Sequence, residues 1–165
     1  MKRVFIILCL ILSLVACTEK MRYIELDDYP IDMTGYIGMT DDHHFSGLMP
    51  EEMLRCKEEG GSGIFYMGNT GCIHCQNTVS IIEKVASDLD LDIYYINTAN
   101  GITRFEDQLL SLFEGRLMKN DQGKEELRLP MVFTLQNGNL KDVIIGETTY
   151  EDLKKVMEPF IQEQS

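Results

Sequence analysis

Gly63-Ile64-Phe65-Tyr66-Met67-Gly68-Asn69-Thr70-Gly71-Cys72-Ile73-His74-Cys75 decides the architecture of this chain. Gly63 to Met67 reads as a short apolar strand, and Gly68 to Gly71 as a turn. A long helix then starts at the first motif cysteine. On it Cys75, Val79, Ile82, Ala86 and Leu89 recur at helical spacing and form one inward stripe. Two thiols two residues apart can close a disulfide across one helical turn and exchange it with another protein. The same spacing is also half of a zinc site, but zinc needs four ligands, usually from a second pair. No second Cys-x-x-Cys occurs in the sequence. A strand entering the motif and a helix leaving it favour redox chemistry.

Elements on either side follow the same logic. Pro50 suits a first helical position, with Glu51 and Glu52 in the first turn. Met49, Met53 and Cys56 share a face of that helix, and Gly60-Gly61 ends it. Cys56 reads as a core residue, because a free cysteine packs as a small hydrophobe. Asp92 to Asn97 is a second strand. Thr103 and Glu106 predict a capping box for a helix carrying Phe105, Leu109, Leu112 and Phe113. Met131 to Leu135 and Leu140 to Ile145 are strands joined through Asn137-Gly138, a strong hairpin signal. Thr148 and Glu151 open a last helix with Leu153, Val156, Met157 and Phe160 inward; Pro159 should kink or end it. A strand–helix–strand unit followed by a hairpin predicts an α/β fold, a mixed central sheet with helices on both faces. The motif then lies at the C-terminal end of a central strand, where ligand sites of open α/β sheets gather.

The N-terminus gives a location. Met1-Lys2-Arg3 is basic, and Val4 to Ala16 is apolar apart from Cys9 and Ser13. Residues 1–16 read as a secretory signal peptide. The run ends Leu14-Val15-Ala16-Cys17 and resembles the lipobox of bacterial lipoproteins, which implies lipidation of Cys17. Residues 17–40 read as the lipidated N-terminus and tether, with an edge strand near Tyr36 to Met39, and residues 41–165 as the folded domain. Cys56, Cys72 and Cys75 are the cysteines left in a compartment that permits disulfides. The expected address is the extracytoplasmic face of a bacterial cell envelope, with the membrane reached through lipid on Cys17.

About 149 residues remain after the signal, the size of one compact domain. Formal net charge is −12, and −14 once Lys2 and Arg3 leave with the signal. So acidic a body excludes nucleic acid as a partner and is repelled by anionic headgroups, which leaves anchoring to the lipid. Asp41-Asp42-His43-His44 reads as a solvated polar loop, and no metal site is expected. Of the ten methionines one falls in the signal and several at helical core spacing, which reads as core packing.

Cys72-Ile73-His74-Cys75 at a strand-to-helix turn, with Leu129-Pro130 before the hairpin, resembles the thioredoxin fold. The likeness covers about Met49 to the C-terminus. The stretch Ile64 to Cys75 is also similar to thioredoxin-like bacteriocin transport accessory proteins. The resemblance implies a cis proline at Pro130 facing the cysteine pair, and a substrate groove that includes Leu129 and Ile73. Cys72, at the helix start, is the expected nucleophile, since free N–H groups there stabilise a thiolate. Cys75 is the expected resolving thiol, and His74 tunes the thiolate. The buried acid of thioredoxins falls here on Tyr66, and a phenol of pKa about 10 is a poor proton relay at neutral pH. Thiol–disulfide exchange with envelope proteins and a redox partner follows, with a lean toward oxidase or isomerase; the Cys72–Cys75 disulfide would be the only redox group, with no added cofactor. A structural disulfide, a redox-inactive binding or accessory lipoprotein and a thiol-based metallochaperone are the alternatives.

Overall fold

The strand leading to the cysteine pair is buried along its whole length and sits inside the main sheet. The structure, a computed structural model, describes residues 20–99 and 102–163. In chain order these form β1 (Tyr29–Pro30), β2 (Phe45–Gly47), α1 (Pro50–Glu58), β3 (Gly63–Gly68), α2 (Ile73–Leu89) and β4 (Ile93–Asn97). A 3₁₀ turn (Ile102–Phe105) runs into α3 (Glu106–Leu112), followed by a small hairpin of β5 (Met118–Lys119) and β6 (Glu125–Glu126). β7 (Met131–Gln136), β8 (Asn139–Ile145) and α4 (Tyr150–Met157) complete the fold, and the chain tightens to 3₁₀ over Glu158–Glu163. The six-stranded sheet has the order β1-β2-β4-β3-β7-β8. β4 runs parallel to both β2 and β3, while β7 is antiparallel to β3 and β8.

Alternation along β3 divides the core in two. Ile64 and Tyr66 point to the face covered by α2 and α4, among Cys75, Val79, Ile82, Leu153 and Met157. Phe65 and Met67 point to the opposite face, among Met53, Cys56, Leu109, Phe113 and Phe133 from α1, α3 and β7. Helices on both faces of a mixed sheet is the arrangement the element order predicts. At the Asn137-Gly138 hairpin both residues have positive φ, 51° and 75°. Glycine is required at the second position for a further reason: a Cβ there would lie 2.4 Å from the Lys57 carbonyl oxygen.

Several expectations need correction. Residues 1–19, with the signal and Cys17, lie outside the described residues. From Met21 onward the stretch expected as a tether is part of the folded body. Met21, Leu26, Met33, Tyr36 and Met39 are all buried core residues. Polar contacts stitch the same stretch down: Arg22 donates to the Glu59 carbonyl (2.7 Å), Arg55 to the Glu25 carbonyl (2.9 Å), and the Ile37 N–H to Gln76 Oε1 (2.7 Å). Such burial escapes a periodicity reading because the segment is irregular. Its edge strand is Tyr29–Pro30, paired antiparallel with β2, and Tyr36 to Met39 is a turn. Met49 is the exposed residue before α1 rather than part of its buried face.

The Thr103–Glu106 capping box does not form, because Thr103 is consumed in the 3₁₀ turn and α3 follows Phe105 without a side-chain cap. The last helix is capped one residue later than expected. Thr149 Oγ1 accepts the Asp152 N–H at 3.2 Å. His43 and His44 do not float in a solvated loop: His43 Nε2 is 3.0 Å from the Ile31 carbonyl and His44 Nδ1 is 2.8 Å from Glu83 Oε1.

Met33 gives a direct measure of whether this segment belongs to the core. A side chain at 0% exposure leaves a cavity when truncated, so Met33→Ala should lower unfolding stability by ~2–5 kcal/mol. Urea denaturation measures it; a change below about 0.5 kcal/mol, typical of an exposed site, would return the segment to a tether.

Candidate functional site

The turn after β3 is built by Asn69. Its Oδ1 accepts the Gly71 N–H (3.0 Å), its carbonyl accepts the Cys72 N–H (3.2 Å), and its amide donates to Thr98 Oγ1 (2.9 Å). Cys72 thereby becomes the N-cap of α2, in extended backbone conformation (φ −92°, ψ 115°). Its Sγ accepts the Cys75 N–H at 3.2 Å, so a sulfur occupies the position where helices usually place an oxygen. Gln76, one residue further along the helix, clamps the Thr70 carbonyl (2.7 Å) and the Gly35 carbonyl (3.2 Å). The free N–H groups and the dipole of α2 therefore converge on Cys72 Sγ and favour negative charge there.

The two thiols differ sharply. Both are free, but Cys72 is half-buried while Cys75 is fully buried. Burial, together with the neighbouring Cys72, pushes the Cys75 thiol up to about 11. Cys56 is also fully buried and is pushed up to about 11 by the same desolvation. It packs on the opposite face of the sheet with Met53 and Phe65, away from the pair.

His74 faces outward. Its Nδ1 is 2.7 Å from Glu147 Oε1, which also accepts from the Asn77 amide at 2.9 Å. These two hydrogen bonds, that of His74 first, hold the Glu147 carboxyl below the usual carboxylate range. The imidazole expected to act on the thiolate is thus engaged by a carboxylate of the loop after β8. Ile73 is strongly exposed beside it, at 64%. Leu129-Pro130 enters β7 through a cis peptide bond, and the Pro130 carbonyl accepts the Gly146 N–H at 2.8 Å. His74, Leu129, Met118, Arg128, Ile145 and Glu147 line one shallow groove. A second also includes Leu129 and is lined by Met67, Asn69, Thr98, Ile102 and Leu127. The long connection between β4 and Pro130 accounts for much of these walls through its 3₁₀ turn, its hairpin and the residues after it.

Beneath Cys75 lies a cluster that only Tyr66 announced in the sequence. Tyr36, Tyr66 and Tyr95 are all buried in the same core as Cys75. The Tyr95 hydroxyl donates to the Gly68 carbonyl (3.1 Å), so its 2.9 Å contact with the Tyr36 hydroxyl is one in which Tyr36 donates. The Tyr66 hydroxyl is buried with no hydrogen-bond partner. An orphaned buried hydroxyl costs about 1–3 kcal/mol. Burial raises all three phenols above their ordinary value. Tyr36 comes from the irregular N-terminal segment and Tyr95 from an ordinary apolar strand, so neither carried a signal; nor did Glu147, 73 residues from His74.

No protein-family model and no curated protein sequence matches the chain. Solved structures do. Thioredoxin O2 from Arabidopsis thaliana in the oxidised state is 17% identical, with 72% of this chain and 96% of that one covered at a TM-score of 0.50. Thioredoxin from Trypanosoma brucei brucei is 15% identical, with 76% and 99% covered and a TM-score of 0.50. The chain spans 54% of the longer J-Trx1 fragment of ERdj5, at 16% identity, 74% coverage of this chain and a TM-score of 0.48. The fold is a thioredoxin-like α/β fold, with a mixed central sheet and a Cys-x-x-Cys pair at the start of a helix.

Exposure and burial together predict which cysteine reacts. Limiting iodoacetamide at pH 7 on the reduced protein should place its label on Cys72 among Cys56, Cys72 and Cys75. Peptide mass spectrometry reads the site. Label on Cys75 equal to that on Cys72 would refute the assignment of roles, since a thiol raised to about 11 supplies little thiolate at neutral pH.

Proposed function

We propose that the chain is a membrane-anchored, extracytoplasmic thiol–disulfide oxidoreductase that exchanges disulfides with proteins of a bacterial envelope through Cys72 and Cys75. The observation that carries the proposal is the 3.2 Å contact from the Cys75 N–H to Cys72 Sγ. It puts a half-exposed sulfur on a helix N-terminus with a buried second thiol one turn behind it. Exchange needs just these: a sulfur that is stable as an anion and accessible, and a resolver shielded from stray partners.

In the reducing direction, Cys72 Sγ attacks one sulfur of a substrate disulfide. The S–S bond breaks, and the departing substrate sulfur leaves with the electron pair and takes a proton. Cys75 Sγ then attacks Cys72 Sγ, releases the second substrate thiol and closes the Cys72–Cys75 disulfide. The oxidising direction is the reverse, beginning with a substrate thiolate attacking Cys72 Sγ. Two grooves that share Leu129, with exposed Ile73 next to His74 in the chain, suit an extended substrate segment lying against the cis Leu129-Pro130 backbone. Anion stabilisation at Cys72 favours the reduced pair and hence an oxidase or isomerase. Envelope location rests on the run from Met1 to Cys17, and the likeness of Ile64 to Cys75 to bacteriocin transport accessory proteins fits a role there.

Cys75→Ala expressed in a bacterial host should accumulate mixed disulfides through Cys72, seen as dithiothreitol-sensitive bands on a non-reducing gel. Their absence, with the variant folded, would leave the pair without exchange chemistry. Metabolic palmitate labelling tests the anchor separately: wild type should take label and Cys17→Ala should not. Equal labelling of the two would remove the lipid from the proposal.

A further inference from the structure

Tyr66 stands where a thioredoxin has its buried acid, and its hydroxyl is the polar group left unsatisfied beside the cysteine pair. The ring lies along β3 with its hydroxyl over Gly68, where a Cβ would come within 2.4 Å of the phenolic oxygen. The hydroxyl is fully buried, packed in one core cluster with Cys75 and Tyr36, and makes no hydrogen bond of ordinary geometry in the resting state. Its neighbours are the Cys75 thiol and the Tyr36 phenol, each of which perturbs its titration. The Tyr36 proton is already committed to Tyr95, and the Tyr95 proton to the Gly68 carbonyl. That chain ends on a carbonyl that cannot pass a proton on, so the cluster is not a relay. What it holds in reserve is one unspent donor, the Tyr66 O–H.

We propose that the Tyr66 hydroxyl donates a hydrogen bond to Cys75 Sγ whenever that sulfur carries negative charge, both as it attacks Cys72 Sγ and as it leaves it. The inference rests on the proposed exchange at the same pair. In the resolving step Cys75 gives its proton to water and its Sγ bonds to Cys72 Sγ. The bond from Cys72 to the substrate sulfur breaks, and that sulfur leaves with the electron pair and takes a proton. In the reverse step Cys75 Sγ departs with the electron pair. In both, a thiolate forms in a buried site, and an anion is a better acceptor than the neutral Tyr36 oxygen that competes for the same donor. The titratable groups facing Cys75 are Cys72 at the start of α2, Tyr66 on β3, Tyr95 on β4 and Tyr36 from the N-terminal segment. Among them only the Tyr66 hydroxyl has no bond in place. Tyr66 is thus a donor where a carboxylate would be an acceptor, which inverts the role of the position.

The test uses the full chain carrying Cys9→Ser and Cys17→Ser, reduced and mixed with 5,5′-dithiobis(2-nitrobenzoate) in a stopped-flow cell. Cys72 attack releases one thionitrobenzoate, and Cys75 attack on the resulting mixed disulfide releases the second. Tyr66→Phe should slow the second phase at pH 7 by about tenfold, the effect of a one-unit rise at Cys75. The first phase should not change. The tenfold gap should persist from pH 7 to 9, because a Cys75 thiol pushed up to about 11 stays mostly protonated in both proteins over that range, and the melting temperature should not fall, because the substitution removes an orphaned hydroxyl. Tyr36→Phe, which keeps the donor, should leave the second phase at its wild-type rate. A second phase unchanged in Tyr66→Phe, or both phases slowed together, would overturn the inference while leaving exchange intact. No second release from the Tyr66-containing protein would instead overturn the exchange on which it rests.

Discussion

The hydrogen bond from the Cys75 N–H to Cys72 Sγ is the contact on which the site depends. A helix of 17 residues begins with backbone N–H groups that lack partners, and something must accept them. Oxygen from Ser, Thr, Asp or Asn is the usual solution. Sulfur is a weaker acceptor while protonated and a much better one as an anion. Capping with cysteine therefore ties helix start and thiolate formation together: the anion is the state that caps best. The weaker cap of the resting thiol is offset by Asn69 and Gln76, whose side chains hold the turn from both sides.

From there the requirement spreads into the sheet. Cys72 can cap α2 only if the strand before it ends at a fixed depth, and β3 is fixed by pairing on both edges, parallel to β4 and antiparallel to β7. The two-residue period of β3 then assigns Tyr66 to the side of α2 and Phe65 to the side of α1. One face becomes a dry aromatic core, with Phe65 and Phe133 stacked at 5.1 Å between ring centroids. The other carries phenols beneath Cys75. This division explains why Cys56 and Cys75, both buried and both raised, have no common chemistry: the sheet lies between them.

Much of this was legible because it is local. The stripe from Cys75 to Ala86, the apolar run of β3 and the Asn137-Gly138 turn each state their conformation within a few residues, and the structure has them in place. Cap positions were less legible. Thr148 and Thr149 offer the same hydroxyl, and the choice of Thr149 depends on where β8 ends. The N-terminal segment was misread for a deeper reason. Met21, Leu26, Met33, Tyr36 and Met39 fit neither helical nor strand spacing, because the segment winds irregularly over two faces of a body already folded beneath it. Its conformation is dictated by distant partners such as Asn137, Glu59 and Gln76. Tyr36 reaches the site by that route, and periodicity does not register such a residue.

The acidity of the chain bears on the same sulfur. A net charge of −12 opposes a thiolate, but its reach is limited. Exposed charges beyond about 8 Å are largely screened at physiological ionic strength, so the count that matters is local. The carboxylate joined to the motif is Glu147, and its charge is met by two donors, His74 Nδ1 and the Asn77 amide. The backbone N–H groups at the start of α2 act on the sulfur without titrating. What favours negative charge at Cys72 Sγ is in this way the backbone at the start of α2, while His74 and Glu147 satisfy each other.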